Sequence, residues 1–103
     1  MKKATPKPQT VNICGLTYTI ERVPYKTPDE FMSASIFHEE QKIYVNDAVS
    51  DEKAKMALLH ELIHGILSNG CFERENQDEI LVQHLATELY QSFRSCPELI
   101  LAE

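Results

Sequence analysis

Two periodicities divide the chain. Over residues 10–23, TVNICGLTYTIERV, apolar and polar positions alternate and β-branched residues are frequent, the pattern of half-buried strands. Cys14-Gly15 interrupts the alternation where a tight turn needs a residue tolerant of positive φ. A first hairpin is expected, with Val11, Ile13, Leu16, Tyr18, Ile20 and Val23 as its core contacts. Residues 24–32 carry two prolines and read as a connection. A second strand pair follows at 33–38 and 42–46, with a turn at 39–41 and with Ile36, Ile43 and Val45 inward.

From Ser50 the period lengthens. Ser50 suits a helix N-cap, Asp51 and Glu52 favour the positive end of the helix dipole, and Gly70 supplies a stop. Between them Met56, Leu58, Leu59, Leu62, Ile63, Ile66 and Leu67 run nearly all the way round. A helix apolar on every side is buried on every side, so this one is expected to lie between a sheet and a further element. That element is expected at 77–94, where Val82, Leu85, Ala86, Leu89 and Phe93 recur at spacings of three and four. Ser95-Cys96-Pro97 ends it, and the last residues form a tail packed through Leu99 and Leu101.

The order β-β-β-β-α-α predicts an α+β domain: a small antiparallel sheet of about four strands on two main helices, the first helix central. Residues 1–9, with two prolines, three lysines and little to bury, read as a flexible tail before a single domain at 10–103.

The central helix carries His60-Glu61-Leu62-Ile63-His64, an HExxH motif. Residues four apart on a helix are offset by about 40°, so the two imidazoles project side by side and can grip one ion. Zinc accepts neutral histidine nitrogens in a tetrahedral site, and a catalytic site keeps one position for water. Glu61, rotated about 100° from His60, reaches that water rather than the metal and is the candidate general base. The motif arises by chance in about two of a hundred chains of this composition. Its place in a helix adds weight, because two imidazoles on an apolar stripe are costly without partners.

A third ligand is needed, and Glu73, Glu75, Glu79 and His84 are within reach. At 100° per residue Glu79 shares a face with Val82, Gln83, Ala86, Tyr90 and Phe93, whereas His84 lies about 140° away and points outward. Helical geometry thus favours Glu79, with Glu75 next. Asn76-x-x-Glu79 has a second reading, a capping box in which Glu79 bonds back to the Asn76 amide. Tyr44, Tyr90 and His38 are candidates for contact with a substrate or an oxyanion. If the strand at 42–46 is an edge, an extended peptide could add to it beside the metal.

Charge and cysteine usage narrow the partners. The net charge is −6 although three lysines crowd the first eight positions, so the body repels phosphate backbones and anionic lipid. A protein partner is the better expectation, with neither nucleic acid nor membrane. No apolar run approaches a membrane span, and the lysines of MKKATPKPQT lack the apolar stretch of an export signal. Cys14, Cys71 and Cys96 are odd in number and lack CxxC spacing. They read as small, at least half-buried apolar residues in a reducing cytoplasm.

HELIH, followed fifteen residues after His64 by EILVQHLATEL, resembles the HExxH…ExxxxxxA pattern of gluzincin metallopeptidases of the ImmA/IrrE type, most of all their short phage- or prophage-borne members. The resemblance spans residues 33–94 and is strongest over 56–90. It implies a minimal zincin-like fold and a Zn²⁺ cofactor. The acidic residue opening the next helix is then the third ligand, which maps to Glu79, and the small residue seven later maps to Ala86. It also implies control of a transcriptional repressor, by cleavage or by binding. The expected activity is therefore zinc-dependent hydrolysis of a peptide bond in a specific protein partner. The alternatives are a metal-bound module that binds a regulator without cutting it, and a structural zinc site, which would favour cysteine ligands.

Overall fold

The alternating segment folds as β1 (Gln9–Ile13) and β2 (Leu16–Val23), antiparallel strands joined by a two-residue turn. Cys14 and Gly15 both have positive φ, 53° and 86°. Two successive left-handed residues give a turn whose twist matches that of the strands. The Asn12 side-chain oxygen accepts the Gly15 N–H at 2.9 Å and holds the turn closed. The computed structural model describes residues 9–24 and 33–100. Most of the expected tail and of the 24–32 connection, and Leu101, therefore lie outside the described residues. Gln9, read as part of the tail, is the first residue of β1.

The second pair forms β3 (Ala34–Phe37) and β4 (Lys42–Asn46). The sheet order is β1-β2-β4-β3, so β4 lies inside and β3 at an edge. β1 and β2 are antiparallel, as are β3 and β4, but β2 and β4 run parallel, with Ile20 opposite Ile43. The sheet is mixed, not wholly antiparallel. The reason is which strand of the second hairpin docks. β4 brings Ile43 and Val45, almost fully buried, whereas Phe37 of β3 is 46% exposed. The more apolar strand takes the interior and thereby points along β2. Position 42–46 is thus no edge; among the described residues the edge strands are β1 and β3.

Three helices follow: α1 (Asp51–Asn69), α2 (Glu73–Asn76) and α3 (Glu79–Ser95), with a 3-10 turn at Pro97–Leu99. The Ser50 hydroxyl accepts the Lys53 N–H at 3.2 Å, and Gly70 occupies the C-cap, as the pattern required. α1 buries two faces. Ala54, with Ala57, Leu58 and Leu62 around it, joins Ile13, Tyr18, Ile43 and Val45 on the sheet. Ile63, flanked by Leu59 and Leu67, packs on Val82 and Ala86 of α3. The helix lies close to the sheet at Gly65, where an added Cβ would come within 3.0 Å of Ile13 Cδ1.

Some expected core residues are at the surface. Leu16, at the turn end of its hairpin, is 41% exposed. All three cysteines are exposed as well. Each stands at an element boundary: Cys14 in the hairpin turn, Cys71 just past α1 and Cys96 at the C-cap of α3. Among the described residues no helix is long and apolar enough to cross a membrane.

Candidate metal centre

α1 and α3 bring His60, His64 and Glu79 together. One ligand atom from each lies within 4.8 Å of the others, a separation suited to holding a metal ion. His60 Nε2 and His64 Nε2 are each 3.1 Å from the same Glu79 oxygen, Oε1. Two donors about 2.1 Å from one tetrahedral zinc ion stand about 3.4 Å apart, close to both separations. The imidazoles are mostly buried, 20% and 13% exposed, while the Glu79 side chain is 68% exposed, so the site opens towards solvent on the α3 side.

Two amides decide what the imidazoles present. His60 Nδ1 lies 2.9 Å from Gln83 Oε1, and His64 Nδ1 lies 2.7 Å from Asn76 Oδ1. The amide nitrogen of Gln83 turns away to Thr87 Oγ1. An amide oxygen only accepts, so each Nδ1 carries a proton and donates it. A neutral ring with Nδ1–H has a bare lone pair on Nε2. Two such lone pairs and a carboxylate oxygen then converge. They repel one another unless a cation stands among them, either added protons or a metal ion. This is how ligating histidines are held, the far nitrogen committed to a second partner.

The electrostatics agree in direction. Burial works against the charged form of His64, but its hydrogen bonds with Asn76 and Glu79 and the carboxylates of Glu79 and Glu61 outweigh that and raise its pKa. The site draws positive charge. Burial pushes the Glu61 carboxyl above the ordinary carboxylate range, Glu79 adds to the rise, and His60 and His64 oppose it. A raised carboxyl pKa suits a group that must accept a proton and give it back.

These side chains line an open cavity of about 910 Å³, bounded by β3 on one side and by α1 and the start of α3 on the other. Glu61 and His38 line it with the His60, His64 and Glu79 group. Other candidates fall elsewhere. Tyr44 is on the opposite sheet face from Ile43, bonded to Glu40 and packed edge-on against Phe37. Tyr90 lines a second, separate groove with Leu58 and Phe93, under the Arg94 guanidinium. Glu73 and Glu75 lie on α2, exposed and outside the metal-holding group, and His84 is exposed on α3.

The capping-box reading of Asn76 and Glu79 does not hold. Asp78 is the N-cap of α3, its carboxylate accepting the Leu81 N–H at 3.0 Å, and Glu79 is the first helical residue. That frees the Glu79 side chain for the imidazoles and Asn76 for His64. The roles of Asn76 and Gln83 were missed in the sequence. Gln83, one turn beyond Glu79 on its face, carried the only signal, since an amide there faces whatever Glu79 faces. No protein-family model, curated protein or solved structure matches the chain.

Proposed function

We propose that this chain is a zinc-dependent peptidase, with His60, His64 and Glu79 as metal ligands and Glu61 as general base. The observation that carries the reading is the convergence of His60 Nε2, His64 Nε2 and Glu79 Oε1 while both Nδ1 atoms are committed to amide oxygens. Three protein ligands of this kind match a catalytic zinc site, which leaves a fourth position for water, better than a closed structural one. Zinc, when bound, supplies an acidified water and polarises a carbonyl. With the ion held by these residues, Glu61 would be the group that accepts a proton from water and returns it to the leaving amine. Gln83 and Asn76 hold the ligand rings in orientation.

The cavity suits an extended segment of a protein. Among the described residues its β3 wall is a sheet edge. Asn46 N–H bonds to the Ser33 carbonyl, so by antiparallel alternation the backbone groups of Ala34 and Ile36 face outward along that edge. A peptide adding there would lie beside the metal centre. The likeness of HELIH…E to the ImmA/IrrE pattern makes a transcriptional regulator the proposed partner, and three exposed thiols fit a reducing cytoplasm.

The test compares zinc-loaded wild type with Glu61→Gln on a proteome-derived peptide library, reading new N-termini. The expected result is cleavage by wild type and a loss of about 100-fold or more in the variant, at equal zinc content. Equal cleavage by both proteins, or none by wild type, rejects the peptidase assignment.

A further inference from the structure

A hydrogen-bond chain leads from the metal-bearing helix to the facing wall of the cavity. The Gly65 carbonyl, next after His64, accepts the Asn69 Nδ2–H at 2.9 Å. That contact fixes which end of the amide is nitrogen, since the oxygen there would face another oxygen. The same nitrogen donates to the Tyr18 hydroxyl at 3.0 Å. The hydroxyl in turn lies 3.1 Å from Nδ1 of His38. Tyr18 has no exposed surface, so its O–H proton needs an acceptor within the protein, and His38 Nδ1 is placed to be it. Were Nδ1 protonated, two N–H groups would point at the Tyr18 oxygen and its own hydrogen would be buried without a partner.

The neutral imidazole of His38 therefore carries its proton on Nε2. With Nδ1 committed, Nε2–H is the ring's remaining hydrogen-bonding group, on an exposed side chain that lines the cavity of His60, Glu61 and His64. We propose that His38 is a catalytic residue whose Nε2–H donates to the substrate carbonyl oxygen as that oxygen gains charge, with Tyr18 and Asn69 as positioning residues. The inference rests on the peptidase reading of the same cavity. No proton changes hands in this role. A donor fixed beforehand strengthens its bond as the oxygen becomes an oxyanion, which is how such groups accelerate acyl transfer.

Two measurements test it. In the full chain labelled with ¹⁵N-histidine, long-range proton–nitrogen correlation above the titration range of histidine should show His38 with a bare Nδ1 and a protonated Nε2. Tyr18→Phe should shift it towards a mixture of tautomers. An Nδ1–H tautomer in the wild type overturns the proposal whether or not metal is present. The second probe is acetohydroxamate binding to zinc-loaded protein, followed by calorimetry. His38→Asn, which lacks a donor at the Nε2 position, should weaken binding by about tenfold or more. His38→Gln, whose amide N–H reaches near that position, should stay within about threefold of wild type. Undiminished binding by His38→Asn, or equal loss in both variants, at full zinc stoichiometry, sinks the role of His38 alone. Failure of the wild type to bind zinc removes the peptidase reading, and this role with it.

Discussion

The chemistry of the site is set by which nitrogen of each imidazole holds the proton, and that is set by two neutral amides. Asn76 and Gln83 accept from His64 and His60 at 2.7 and 2.9 Å. An amide fixes ring orientation without adding the negative charge that a carboxylate would bring. Asn76→Ala and Gln83→Ala should each lower zinc affinity by about 10–100-fold, measured by competition with a chromogenic chelator. Gln83 is exposed and Asn76 only partly buried, so the melting temperature of the metal-free protein should change little. Unchanged affinity in both variants would remove the amides from the site. The cluster itself was legible in the sequence. HExxH names His60 and His64, and helical phase selected Glu79 from the acidic residues after α1. The amides were not, because their roles depend on α3 crossing α1 at a particular height, and Asn76 sits on the short α2, between the two helices that the apolar period announces.

At the scale of elements, α1 was readable end to end. A hydroxyl cap at Ser50 and a glycine at position 70 are local signals, and they mark the observed Asp51–Asn69. Sheet order was not readable, since pairing β4 with β2 depends on contacts distant in sequence. Tyr90 illustrates a different limit. It shares the angular face of Glu79, but eleven residues along a helix is about 16 Å, so it lines another groove. The contact between α1 and α3 holds Glu79 against the two histidines, and Val82 is its fully buried centre, packed with Ile63 and Ala86. Val82→Ala should therefore destabilise the fold by about 1–3 kcal/mol in urea denaturation. It should also weaken zinc binding, because the helix bearing Glu79 is less firmly seated. A loss of stability with unaltered zinc affinity would mean that α3 packing and Glu79 placement are independent.

The molecule as a whole is a small mixed sheet that supports one helix, with a second helix laid over it so that His60, His64 and Glu79 meet in a cluster open to solvent. The class α+β and the central position of α1 follow from the change in apolar period at Ser50. The buried core is modest, so an ion bound by two helices would tie together elements that otherwise meet through Ile63, Val82, Ala86 and their neighbours and the exposed Arg94–Glu52 pair. The account stands on one divalent ion held by His60, His64 and Glu79. X-ray absorption at the zinc edge, on protein purified with zinc and assayed for metal content, addresses it most directly. The account predicts one zinc per chain, bound only by nitrogen and oxygen at about 2.0–2.2 Å with two imidazoles, and loss of the ion in His60→Ala. No retained zinc, or a sulfur ligand at about 2.3 Å from one of the exposed cysteines, would contradict it.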